Sequence, residues 1–524
     1  MEQRFTRPFF HDTKEINFEE SMLSFSKVFI HHKFMTQKRL DSFPVPQTKK
    51  IETPNWPPVL PDGSFPLEDG YDIMPITQLK VPKFWVPPEN IELEKVGSRV
   101  NEQPTIFLMI ASYRDFQCRE TISSAFMRAD HPERLFIGAV DQVVPGDVGC
   151  LDLEVPCSVD STQPICRYRD QISVYKMDAA TATGPVTARH IGDRMYRGQY
   201  YVMQMDAHCL FVRHWDSKII QQFERTGNEM AVLSSYLTDV QGSIDAKGDS
   251  TRQTRPIMCN SDFEGVMPAR YLRHLSQPED YPEIRGMPQL QPFWAAGFSF
   301  SRGHFKIRVP YDAYQPMVFQ GEEIAIGIRG FTHGYDFYAP DESVVFHEYA
   351  DNSKRRKKVH MFWENGGHAG QGQKSLKRAT AVIGMAPDLD PSSWDHSELN
   401  KYGLGSVRNV SLFYQIFLID PHERRAVQLC PFVKTGIMHK DFQKFLRKDG
   451  KGIDYTHLMN YNTAAKIDAQ LTRQHPYWEG RLKEAIKRRD QADLQESIAS
   501  AVRVRLNLKK PDLIKQAENV LQSL

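Results

Sequence analysis

Between Thr105 and Tyr236 short apolar runs alternate with stretches of helical spacing, and this alternation restricts the fold more than any other feature of the chain. Thr105–Ala111 (TIFLMIA) is apolar throughout, the pattern of a strand buried on both faces. Leu135–Val140 (LFIGAV), Ile172–Met177, Tyr200–Met205 (YYVMQM) and Ala231–Tyr236 read the same way. A helix capped by Asp115 is expected to run to about Ala129, with others over Thr187–Tyr196 and Trp215–Arg225. Strands separated by helices point to an α/β domain with a mostly parallel sheet. Ligands in such sheets sit beyond the carboxyl ends of the strands, so the polar residues that follow each strand are the ones to examine.

The chain has 524 residues, more than one core accommodates. Residues 1–100 are expected to hold a helix begun by Asn17 and Glu20, then a proline-rich arm from Pro44 to Pro88 packed on the surface. The α/β domain should occupy 101–350. An accessory region or completion of that domain follows over 351–460, and a helical extension over 461–524. Asp239–Arg255 reads as an exposed, mobile loop.

With 66 basic and 65 acidic residues the net charge is +1, which gives no global reason for binding nucleic acid or a membrane surface. The basic run Lys354–Lys358 reads as solvated surface. The first ten residues (MEQRFTRPFF) lack a secretory pattern, and the longest apolar runs are strand-sized, so no membrane span is expected. Seven cysteines, an odd number without a CxxC pair, predict reduced thiols in a cytoplasmic protein rather than a disulfide framework or a structural zinc site.

Four places carry candidate chemistry. Ser112, Tyr113, Arg114 and Asp115 follow the first strand, where an aromatic and an arginine suit a base and its phosphates. Asp206 and His208 lie two apart at the end of the fourth strand and project to the same side. A carboxylate with an imidazole there suits a divalent cation, manganese before magnesium, although a helix cap is the plainer role for such an Asp. In Gly184-Pro185-Val186-Thr187-Ala188-Arg189 the arginine is expected in the first turn of a helix, where it would reach a diphosphate. Glu322 and Glu323 follow Gly321 at a helix start, where acidic residues also serve the helix dipole. His347 ends a strand-like run; alone, it reads as structural.

Taken in order, ASYRD, DHPERLFIGAV, GPVTARH, QMDAH, AAGFSFS, FQGEE and VVFHEY resemble the family 60 glycosyltransferases, from about Pro104 to Tyr349. A weaker echo continues in Tyr402–Gly405 and Ile419–Asp420. Named members are polypeptide N-acetylglucosaminyltransferases acting on hydroxyproline of the SCF ubiquitin-ligase adaptor, akin to the mucin-type polypeptide N-acetylgalactosaminyltransferases. The resemblance implies a GT-A fold, a UDP-GlcNAc donor, a divalent metal, retention of configuration and a protein acceptor. By the same resemblance Asp206, His208 and His347 are metal ligands and Arg189 faces the diphosphate. Ser112–Asp115 fall on the nucleotide pocket. Ala296 and Gly297, with Glu322 and Glu323, fall on the sugar and acceptor side. The chain departs from the pattern at Val140-Asp141-Gln142, where a bulkier residue is expected before the glutamine.

Two rival readings use the same residues. A non-catalytic protein binding a nucleotide-sugar or a partner would not need the metal, arginine and acidic positions filled together. A metal-dependent phosphohydrolase would often carry a two-metal site, and one compact cluster appears.

Overall fold

A computed structural model describes residues 70–87, 89, 91–265, 270–349, 359–364, 370–458, 469 and 471–524. The helix expected from Asn17, most of the proline-rich arm and the Lys354–Lys358 run lie outside the described residues.

We number the strands that build the site. They are β1 (Ile106–Tyr113), β2 (Leu135–Val143), β3 (Ile172–Asp178), β4 (Tyr201–Asp206), β5 (Cys209–Phe211), β6 (Ala231–Ser234), β7 (Gln289–Leu290), β8 (Phe298–Arg302), β9 (Asp336–Ala339) and β10 (Val345–His347). Eight form one sheet in the order β7-β9-β6-β8-β4-β1-β2-β3. Parallel pairs join β3, β2, β1 and β4, and also β6 with β9. β8 returns antiparallel between β4 and β6, and β7 closes the edge antiparallel to β9. The sheet is thus mostly parallel and the fold is α/β, with a helical carboxyl-terminal end.

The runs form strands because both faces are covered. Ile106 to Ile110 have no exposed surface. Fully burying one such side chain stabilises by about 1.5–3 kcal/mol. Helices α1 (Cys118–Arg128), α2 (Pro185–Asp193) and α3 (Trp215–Arg225) supply cover, and α4 (Glu322–Thr332) follows β8. Glycines let helix and sheet approach closely: a Cβ on Gly192 of α2 would meet the Met109 side chain of β1 at 2.6 Å. The short segment 70–87 packs on this body, with Trp85 edge-on to Tyr196 and the Arg194 guanidinium over the Phe84 ring. Near the end, α5 (His475–Arg488), α6 (Gln491–Arg503) and α7 (Pro511–Gln522) pack on one another through Leu482, Ala485, Leu494, Ala501, Ile514 and Ala517.

Two expectations are corrected. Six of the seven cysteines are paired, as Cys118–Cys150, Cys157–Cys166 and Cys259–Cys430, and Cys209 is a buried free thiol. An odd count only requires one cysteine to be left over, and pairing partners 32 and 171 residues apart leave no local motif. The support for a cytoplasmic setting drawn from reduced thiols is removed with them. The 239–255 loop is also held down. Ser243, Ile244 and Arg255 are buried, Arg213 N donates to Gly248 O at 2.8 Å, and Arg213 pairs with Asp249. Its polar residues serve internal bonds that composition does not reveal.

Candidate active site

Strand register assembles the site. Ala111 of β1 pairs with Asp206 of β4, and Ser112 with Asp141 of β2, so the carboxyl ends of three strands lie side by side. Phe298 of β8 pairs with Met205, which delivers the preceding Ala296 and Gly297 against the Asp206 carboxylate. A Cβ on Gly297 would stand 3.4 Å from Asp206 Oδ2, so glycine leaves the carboxylate room.

His347 arrives by a separate two-stranded ribbon. β10 pairs antiparallel with β5, placing His347 opposite Cys209, the residue after His208. Its backbone is held from the other side too, with His347 N donating to Thr238 O and Val240 N donating to His347 O. The two imidazoles meet with Nε2 atoms 2.8 Å apart, and His347 Nε2 lies 3.3 Å from Asp206 Oδ2. One ligand atom from each of Asp206, His208 and His347 lies within 4.8 Å of the others. Atoms that bind one small divalent ion at about 2.1 Å stand roughly 3 Å apart when adjacent, so this spacing fits a single cation. One carboxylate and two imidazoles suit a divalent transition-metal ion.

Behind the trio lies a buried ionic layer. Gly321, at φ 91°, turns the chain into α4 so that Glu322 and Glu323 open the helix. Pro185 occupies the first turn of α2, so Arg189 falls in the second turn rather than the first. Its guanidinium bridges Glu322 and Asp206, the latter at 3.0 Å. Glu322 is 4% exposed and its Oε2 has no hydrogen-bond partner. Burial pushes the Glu322 carboxyl up to about 7 against the pull of Arg189. Burial also raises Asp206, but the His347 hydrogen bond and the Arg189 charge outweigh it and hold Asp206 well below the usual carboxylate range. Arg189 stays charged despite burial because Glu322 and Asp206 flank it.

The neighbouring acid has another task. Glu323 accepts hydrogen bonds from Ala296 N and the Tyr236 hydroxyl, each at 2.8 Å. Gln204 donates to Ala296 O at 2.8 Å, fixing the same turn from below. Nothing in the spacing of Tyr236 or Gln204 marks them; only the strand pairing brings them in.

A family model described as Glycosyltransferase (GlcNAc) matches residues 105–165 and 156–423, more than half of the chain. The chain belongs to this glycosyltransferase family. The transferase's central sheet and the Asp206, His208 and His347 cluster all fall inside the matched region. Among solved structures, GalNAc-T7 with UDP, GalNAc and Mn2+ is similar at 13% identity, over 70% of this chain and 68% of that chain, with a TM-score of 0.38. S. aureus TarS 1-349 in complex with UDP-GlcNAc is similar at 12% identity, over 80% of this chain and 91% of that chain, with a TM-score of 0.33. No curated protein matches the chain. At these scores no site is transferred from a neighbour, and the transferase's chemistry is read from its own residues.

The last two residues of β1 and the two that follow it have separate placements. Ser112 is fully buried. Tyr113 donates its hydroxyl to His360 O at 2.7 Å. Arg114, at φ 51°, spends its fork on Asp147 at 2.7 and 3.1 Å. Asp115 Oδ2 lies 2.6 Å from His208 Nδ1. Arg114 and Asp115 are therefore placed on protein partners.

Proposed function

We propose that this transferase moves GlcNAc from UDP-GlcNAc to a protein hydroxyl, with retention of configuration and with a divalent cation, manganese before magnesium. The observation that carries this reading is the convergence of Asp206, His208 and His347 at the carboxyl edge of the sheet, inside the family match. A cation held there supplies an electrophile for the diphosphate oxygens of the departing UDP.

The protein's own residues supply positioning. Asp206, His208 and His347 hold the ion. Arg189 fixes the Asp206 carboxylate and keeps a positive charge next to where negative charge develops on the leaving group. Glu322, tied to Arg189, keeps one oxygen, Oε2, for a sugar hydroxyl. Glu323 holds the turn carrying Ala296 and Gly297, which forms the sugar and acceptor wall. Glu323 is committed as scaffold and Glu322 to Arg189 and a sugar hydroxyl, which supports a route without a protein nucleophile. In that route the leaving diphosphate accepts the acceptor's proton on the face it departs from.

The resemblance to hydroxyproline-modifying enzymes supports a hydroxyproline acceptor. The three disulfides support maturation in an oxidising compartment, which favours an acceptor protein there over a cytoplasmic ubiquitin-ligase adaptor.

Donor hydrolysis tests the proposal without knowledge of the acceptor. UDP release from a panel of UDP-sugars, with manganese and with excess chelator, should be metal-dependent and fastest with UDP-GlcNAc. Equal release in chelator overturns the metal role, and faster release from UDP-GalNAc or UDP-galactose overturns the donor.

A further inference from the structure

We infer that Asp115 is a positioning residue of the metal centre: it fixes the His208 ring so that one nitrogen lone pair is always presented to the ion. The inference rests on the metal reading of Asp206, His208 and His347.

Asp115 lies two residues beyond the end of β1, 7% exposed, and its carboxylate reaches two ways. Oδ1 accepts from Gln117 N at 3.0 Å, which tightens the turn into α1. Oδ2 meets His208 Nδ1 at 2.6 Å, across 93 residues of sequence. A carboxylate can only accept, so His208 Nδ1 carries the hydrogen and Nε2 is left with its lone pair. That Nε2 is the atom facing His347 Nε2.

The two histidines are prepared differently. His347 Nδ1 is buried and has no hydrogen-bond partner. With His208 Nε2 bare, the hydrogen between the rings belongs to His347 Nε2, which also faces Asp206. Cation binding therefore requires the His347 hydrogen to leave Nε2, while His208 needs no change. His208 is the preset ligand because a carboxylate stands behind it; His347 is placed by backbone pairing with residues 238–240 and β5 and by the Tyr349 ring, 4.3 Å from its own between centroids. A carboxylate behind a ligating imidazole fixes its tautomer and strengthens it as a donor, and losing it typically weakens metal binding about 10–100-fold.

The competing role for Asp115 is a helix-start residue alone, and Asp115→Ser separates the two. Serine keeps a short oxygen for Gln117 N but cannot reach the His208 ring. Manganese affinity is measured without nucleotide, from the paramagnetic resonance signal of free Mn2+, on wild type, Asp115→Ser and Asp115→Asn. Both variants should bind about 10–100-fold more weakly, with the metal-free thermal midpoint of Asp115→Ser little changed. If both bind within about twofold of wild type, the inference is overturned while the metal reading stands. If wild type binds no manganese, the metal reading fails and takes this one with it. Should the variants not fold, 15N resonances of the metal-free wild-type histidines decide instead: His208 must carry its hydrogen on Nδ1, and a hydrogen on Nε2 overturns the inference.

Discussion

His190 follows Arg189 on α2 and has both ring nitrogens engaged. Arg194 Nε donates to its Nε2 at 2.8 Å, so Nδ1 carries the hydrogen and donates to Tyr311 O at 2.7 Å. A second ring proton would face the Arg194 donor, and burial with the Arg194 charge pushes the imidazole down to about 3. An unfolded histidine titrates near 6.5, so between about 6.5 and 3 the unfolded chain binds a proton that the folded chain refuses. The stability from His190 is complete above that window and is lost as pH falls through it. We expect His190→Gln to lower the urea midpoint at pH 7.5 but to narrow its drop between pH 7.5 and pH 5; an undiminished drop would show the titration to lie elsewhere. Legibility at this scale follows distance along the chain. Asp206 and His208 announce themselves because a strand end fixes where i and i+2 point. The tie of His208 to Asp115 and the bridge from Arg189 to Glu322 span 93 and 133 residues, and only the sheet order closes them.

Elements carry these residues, and Gly184 sets the one that carries Arg189 and His190. It lies at φ 99°, where a side chain is strained, and a Cβ there would stand 2.8 Å from the Phe362 ring. Gly184→Ala should cost about 2–4 kcal/mol, combining left-handed strain with overpacking. The start of α2 would shift and Arg189 with it, so UDP release should fall more than stability alone predicts once assayed well below the variant's melting temperature. Retained activity with lowered stability would place the glycine's role in folding only. The helix itself is legible, expected over Thr187–Tyr196 and found over Pro185–Asp193, as are the parallel strands, whose continuous apolar runs require cover on both faces. β7, two residues long, and the antiparallel return of β8 carry no such signature, because pairing rather than composition defines them. The 239–255 loop departs from its polar composition for the same reason: many of its polar side chains are satisfied within the fold.

For the molecule as a whole, the three cysteine pairs can be counted directly. Thiol titration of the denatured, unreduced chain should find one reactive group, Cys209, and seven after reduction; seven before reduction would return the protein to a reducing compartment. Replacing Cys259 and Cys430 together by serine should cost about 2–5 kcal/mol. That bridge joins residues 171 positions apart, linking the segment before Asn260 to the region that follows Ile419–Asp420. It also changes what a cut means. A single peptide cleavage anywhere between Cys259 and Cys430 leaves two fragments on one covalent thread. The nicked chain migrates as one species until a reductant is added, and where the cut falls before His347 the half bearing His347 cannot diffuse away from the half bearing Asp206 and His208.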